Sequence, residues 1–278
     1  TLAVQLTRGE EAKIGVIETA STEAYDAFLQ GWEQYQRQTA EGLKAAVGHF
    51  KRALELDDVY ARARAALAAS YWQVFRRYWH NEFGYRSVHS ARFEAEKHLM
   101  RAQKSPTSLS HQVATAMFSL QGHHTEALAE GGKAIGIVPN DADSYVALAG
   151  ALSLAGNPDD ALRLIDKAMR LNPHFPPHYL YERGLAEFGV GNYAAAATAL
   201  ERAIQLNPED RWSGRLLVAV YGHLGRVQDA ENLLDSISRN PRGYDPLTVR
   251  AMAYWYPYKD PADRERLAAG LIAANVAD

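Results

Sequence analysis

Apolar and small residues follow a helical rhythm along most of this chain, and the rhythm breaks at regular places. In DSYVALAGALSLAGNPDDALRLIDKAMRLNP (143–173), Tyr145, Leu148 and Ala149 fall on one face of a helix. After a polar Gly-Asn turn, Ala161, Ile165 and Ala168 fall on one face of a second helix, which Pro173 stops. PHYLYERGLAEFGVGNYAAAATALERAIQLNP (177–208) repeats the arrangement, down to the Gly-Asn turn and the Leu-Asn-Pro ending. Pro139, Pro173 and Pro208 are 34 and 35 residues apart, and Gly122, Gly156, Gly191 and Gly225 are spaced 34, 35 and 34. The same pattern runs through 110–139 and 213–237.

This period predicts helical hairpins. Each unit holds two helices of about twelve to fourteen residues, the first closed by a glycine that can take positive φ. Alanines just past that glycine (Ala127, Ala161, Ala196, Ala230) let the two helices approach closely, and Ala134, Ala168 and Ala203 follow two turns later. A lone hairpin cannot bury its apolar face, so stacked neighbours must form the core. Residues 24–58 carry the pattern in Gly31, Ala46, Phe50 and Ala53, with about three extra residues in the turn. The next unit opens at DVYARARAALAASYW and resumes at ARFEAEKHLMRA (91–102); about fifteen additional residues, at about 72–90, interrupt it. PLTVRAMAYWYPYKDPADRERLAAGLIAANV reads as a degenerate last hairpin, in which Asp260 and Pro261 start a helix. Residues 1–20 read as one amphipathic helix (Leu2, Val4, Leu6, Ile14, Val16, Ile17), a cap or the tail of a preceding domain. The expected organisation is this helix, an array of six hairpins over 21–240 and a capping hairpin over 241–278. The expected fold class is all-α, a right-handed superhelix. Opening on Thr1, the chain reads as part of a longer protein.

The architecture resembles the tetratricopeptide repeat (TPR) family, whose unit is 34 residues long; residues 143–173 match it at Tyr145, Leu148, Ala149, Ala161, Ile165, Ala168 and Pro173. The resemblance implies a solenoid whose first helices line a concave binding face. The family's groove positions fall here on Arg62, Trp72, Gln112, Val146, Ser153, His178, Tyr181, Phe188, Trp212, Arg215 and His223. A mixed aromatic and basic groove suits an extended peptide or an acidic segment of a protein partner. The alternative is that half of these side chains pack against neighbouring repeats. Family members that grip a C-terminal carboxylate use a Lys and an Asn; this chain has Phe28/Trp32, Ala65/Ala69 and Gln112/Ala116 at the matching places.

The interrupted unit carries YWQVFRRYWHNEFGY (71–85), seven of the chain's 28 aromatic residues. Tyr71, Phe75 and Tyr78 recur at helical spacing, as do Trp72, Trp79 and Phe83, as though the first helix of that hairpin ran on past its usual end. Seven aromatics left in water would form a patch that monomers rarely tolerate. Two readings stay open: a flap packed against neighbouring units, or a partner or homodimer surface made by Phe75, Arg76, Tyr78, Trp79 and Phe83. The net charge is −3, yet residues 62–104 hold nine Lys/Arg against three Glu, a local +6 that leaves −9 elsewhere. The near-neutral total argues against a nucleic-acid binder.

No enzyme signature survives inspection. The chain has no cysteine, so thiolate metal sites and thiol nucleophiles are excluded. No run approaches the ~20 apolar residues of a membrane helix, and the N-terminus lacks the features of a signal peptide. GGKAIG (131–136) lacks the earlier glycine of a P-loop, Ala127 standing in its place. His123 and His124 are adjacent rather than one helical turn apart, the wrong spacing for a shared metal. The acidic pairs at 141–143 and 157–160 sit where helix capping explains them. No catalytic residue, cofactor or metal is expected.

The order of features is more particular than the repeat itself. TASTEAYDAFLQGWEQYQRQTAEGLKAAVGHF, the aromatic insertion with its Tyr-Trp-His, HQVATAMFSLQGHHTEALAE and above all YPYKDPADRERLAAGL together resemble the C-terminal TPR region of bacterial class III adenylate/guanylate cyclases. The resemblance implies a non-catalytic regulatory module behind a cyclase domain, often with a membrane helix between them that would set the compartment. Similar tails behind winged-helix transcription regulators support a second expectation, an adaptor for transcription or envelope assembly that binds an extended peptide.

Overall fold

Helix-stopping glycines and side-chain caps divide the chain into helices in the computed structural model, which describes residues 18–208, 210–239 and 247–278. The fourteen described helices are α1 (Thr22–Gln36), α2 (Ala40–Leu56), α3 (Ala61–Arg76), α4 (Val88–Ala102), α5 (Ser108–Leu120), α6 (His124–Ile137), α7 (Ala142–Leu154), α8 (Pro158–Leu171), α9 (His178–Gly189), α10 (Tyr193–Leu206), α11 (Arg211–His223), α12 (Val227–Ser238), α13 (Val249–Tyr254) and α14 (Pro261–Ala273). The first twelve pair in order into six antiparallel hairpins. The fold is an all-α repeat array. The amphipathic helix expected over 1–20 lies, except for its last three positions, outside the described residues.

The turn glycines do what their spacing predicts. Gly122, Gly156, Gly191 and Gly225 stand two residues past α5, α7, α9 and α11, with φ of +75°, +85°, +81° and +68°. Each lets the next amide reach back over the helix end: His123 N–H donates to Phe118 O, Asn157 to Leu152, Asn192 to Glu187 and Arg226 to Tyr221, all at 2.9 Å. These bonds satisfy carbonyls that a helix end leaves without partners. The alanines that follow, Ala127, Ala161, Ala196 and Ala230, are 0% exposed; larger side chains there would force the paired helices apart.

The aromatic stretch ends its helix in the same way. α3 has 16 residues against 13 in α5, α7 and α11, so it runs on for less than one turn. Tyr78 then takes the left-handed conformation (φ +58°), and Trp79 N–H donates to Val74 O at 3.0 Å. A helix reaching Phe83 is therefore not formed; residues 77–84 form turns instead, with Tyr78, Trp79 and His80 buried.

Two large cores result. One spans the first three hairpins and includes Phe28, Phe50, Tyr60, Leu67, Trp72, Phe75 and Trp79. The other unites Leu185, Phe188, Leu200, Trp212 and Leu216 with Met252, Tyr256, Leu267 and Leu271 from the C-terminal segment. Trp255 packs against both. α14 does not continue the stack on α12; it crosses α11. There Gly222 and Gly270 meet backbone to backbone, and a Cβ on Gly222 would overlap the Gly270 carbonyl.

Candidate peptide groove

Six hairpins curve far enough for the C-terminal ends of α1 and α3 to face the N-terminal ends of α7, α9 and α11 across a hollow. The indole Nε1–H of Trp212 donates to Arg76 O at 3.1 Å across that gap. Arg76 lies with its guanidinium 4.8 Å from the Trp212 ring centroid and 5.9 Å from that of Tyr181. At the mouth of the hollow, Tyr35, stacked on Trp32 at 5.1 Å, bonds to Gln73, and Asp143 and Arg77 stand close enough to act on it electrostatically. Asp143 accepts from Tyr179 OH at 2.7 Å and lies 3.9 Å from His178 Nε2. The His178 side chain keeps 49% of its surface open to the hollow. Protein nonetheless surrounds that space, and desolvation lowers the imidazole pKa, with Asp143 opposing and Arg76 and Arg77 reinforcing.

The chain's own C-terminal segment crosses the hollow as a strap. Trp255 sits 5.7, 6.0 and 6.2 Å, centroid to centroid, from Trp212, Phe75 and Tyr78. Tyr256 OH donates to Trp212 O at 3.1 Å. Lys259 N–H then donates to Leu154 O at 2.9 Å, Arg266 Nη1 to Gly189 O at 2.8 Å, and His223 Nε2 to Arg266 O at 2.8 Å. Leu154 and Gly189 close α7 and α9, so strap donors satisfy orphan carbonyls of two successive first helices.

Beneath the strap, Trp72, Arg76, Tyr181, Glu182, Trp212 and Trp255 line a cavity of about 80 Å³. Burial raises the Glu182 carboxyl to about 7, the nearby Arg76 offsetting this only in part and Asp210 adding to it. The native state therefore holds a proton that the unfolded chain gives up, and this group's contribution to stability falls as pH rises from about 4.5 to about 7. Glu182→Gln should melt at the same temperature as wild type at acid pH and higher than wild type at pH above about 7. A melting difference that does not change with pH would show that the carboxyl titrates normally.

Most residues that sequence reasoning assigned to the groove lie in its wall rather than its opening. Trp72, Tyr181, Trp212 and Arg215 are 5%, 6%, 7% and 2% exposed. Val146 and Ser153 are 2% exposed. Phe188 is core, and His223 stacks on Tyr193 at 4.2 Å. Gln112 is spent bridging α5 to α7, donating to Ser144 Oγ at 2.9 Å and to Asp141. Arg62 pairs with Glu18 at 3.1 Å over the Phe28 ring, beside the first hairpin. His178 faces the hollow. The flap expected from Phe75, Tyr78 and Trp79 is internal, at 2%, 5% and 3% exposure, with Arg76 and Phe83 half-buried; as a homodimer or partner surface it is unavailable. Sequence reasoning missed Tyr35, Asp143, Glu182, Asp210 and the strap. Asp143 read as a helix-start acid, and the one signal for the strap was a second aromatic run, Tyr254 to Tyr258, of the same kind as the insertion it meets.

Among the described residues no group of His, Asp and Glu is placed to hold a metal ion, and no helix is long and apolar enough to cross a membrane. A tetratricopeptide repeat profile matches residues 187–250. The chain is 28% identical over 109 residues to the cellulose synthase operon protein C of Pseudomonas fluorescens (strain SBW25), covering 37% of this chain and 8% of that one. It is 32% identical over 62 residues to the TPR repeat-containing protein YvcD of Bacillus subtilis (strain 168), covering 22% and 13%. The chain thus spans a small part of the length of the curated relatives it matches. Among solved structures, the APC/C hetero-tetramer Cut9-Hcn1 aligns with a TM-score of 0.53 at 14% identity, over 90% of this chain and 46% of that one. A tetratricopeptide repeat protein from Parabacteroides merdae ATCC 43184 aligns with a TM-score of 0.47 at 13% identity, over 92% and 93%. Six stacked hairpins, the last four turning on a glycine every 34 or 35 residues, with a tetratricopeptide repeat profile matching within them, make this fold an all-α helical array of the tetratricopeptide repeat type.

Proposed function

We propose that this chain is a non-catalytic protein-interaction module that takes an extended segment of a protein partner into the mouth of its hollow. The observation that carries this reading is the convergence of Tyr35, Arg77, Asp143 and His178, from four of the six hairpins, on one opening. An aromatic face beside both signs of charge suits a peptide backbone with mixed side chains. His178→Ala should weaken capture of the partner about tenfold or more while far-ultraviolet dichroism stays the same. Undiminished capture by that folded variant would remove the site from the hollow.

The parent protein is, on this reading, a class III adenylate/guanylate cyclase-type signalling protein. The resemblance of YPYKDPADRERLAAGL supports it, and Lys259 and Arg266 of that segment anchor the strap. The reading of the chain as an adaptor in transcription or envelope assembly predicts a different neighbour. Sequencing upstream of Thr1 separates them: a cyclase catalytic domain supports the first, and a winged-helix domain the second.

A further inference from the structure

The second hairpin meets its neighbour unlike the others. α2, α6, α8 and α10 each pack against the first helix of the next unit, whereas α4 packs on α3 and barely touches α5. One side of α4 is left without a neighbour, on the outside of the array and apart from the hollow. That side carries Phe93 and Met100, 64% and 69% exposed. They lie two helical turns apart, on one stripe with His89 and Lys97; Arg101 borders it, and Arg86 and Lys104 stand just beyond the two ends of α4. Lys97 pairs with Glu94 at 3.0 Å and Arg92 with Glu96 at 2.8 Å. Arg86, Arg101 and Lys104 make no ion pair with another described residue. They belong to the 62–104 stretch whose local charge is +6.

We propose that this stripe docks an acidic amphipathic helix of a protein partner, one that sets apolar side chains two turns apart over Phe93 and Met100 and carboxylates toward Arg86, Arg101 and Lys104. Two large apolar anchors at a helical repeat, flanked by uncompensated cations, match such a helix in both spacing and charge. A bilayer fits less well, because the stripe offers only two large apolar side chains and Glu94 and Glu96 border it. Two copies joined stripe to stripe would set like charges face to face.

The test uses the full chain and a dye-labelled peptide of Leu-Glu-Glu-Leu-Glu-Glu-Glu repeats, with binding followed by fluorescence anisotropy at low and high salt. Phosphatidylserine vesicle sedimentation and light scattering run in parallel. The variant is Phe93→Ser with Met100→Ser, which removes two exposed side chains and leaves the core untouched. Salt-sensitive peptide binding that weakens about tenfold or more in the variant supports the proposal. No peptide binding, or equal binding by the variant, overturns it. Vesicle binding that the variant loses, without peptide binding, gives the face to lipid and also overturns it. A concentration-dependent mass that the variant abolishes does the same in favour of a second copy.

Discussion

Gly222→Val should release the C-terminal strap and destabilise the protein more than any substitution at the mouth of the hollow. The valine side chain has no space at the crossing of α11 and α14, because backbone atoms rather than flexible side chains stand in its way. The two helices must separate by about the width of the new side chain. Leu267 and Leu271, 1% and 0% exposed, would then lose their packing, and the bonds from Lys259 to Leu154 and from Arg266 to Gly189 would stretch or break. Overpacking against mobile side chains typically costs about 1–3 kcal/mol; a backbone crossing should reach or exceed the upper end of that range. Urea unfolding gives the free energy, and hydrogen exchange at the Lys259 amide reports the strap directly. Wild-type stability with a protected Lys259 amide would mean that the crossing is not the strap's main anchor.

Trp212→Ala should cost about 3–5 kcal/mol, the usual range for truncating a buried tryptophan. Trp212 donates to Arg76 O, carries the Arg76 guanidinium on its ring and packs edge-on against Trp255 and Tyr256. Its loss therefore loosens three parts of the chain together: the insertion, the sixth hairpin and the strap. Trp212→Phe keeps most of the apolar area and gives up the hydrogen bond, so its cost should be nearer 1 kcal/mol. Chemical denaturation of the two variants separates packing from hydrogen bonding; near-equal, small losses would show that the hub contributes little. A consequence for function follows. Alanine at Trp212 or Arg215 damages the wall of the hollow, so lost capture in those variants would not locate a binding surface, whereas His178, with 49% of its side chain exposed, can be changed without opening the core.

The repeat was legible because its signals are local. Gly156 and Gly191 stop helices by their own φ, Ala161 and Ala196 admit the partner helix by their own size, and Asp260 caps α14 through its own side chain. The groove was legible only in part. Its family positions were read from a regular array, in which first helices face open solvent, but here the last hairpin folds across them. His178 remains open while Trp72, Tyr181, Trp212 and Arg215 become wall. The aromatic insertion shows the same division: helical spacing suggested a longer helix, and the left-handed turn at Tyr78 ended it.

The all-α class, the hairpin period and the turn positions follow from local side-chain patterns, since each depends on residues within a turn or two of one another. Which residues face the hollow, why seven aromatics cluster in one insertion, and where the C-terminal segment lies are set by the packed fold. Those outcomes rest on contacts between distant parts of the chain, such as that between Trp212 and Arg76, 136 residues apart. Superhelical curvature brings such pairs together, and curvature is the sum of many small packing angles that no short stretch of sequence records.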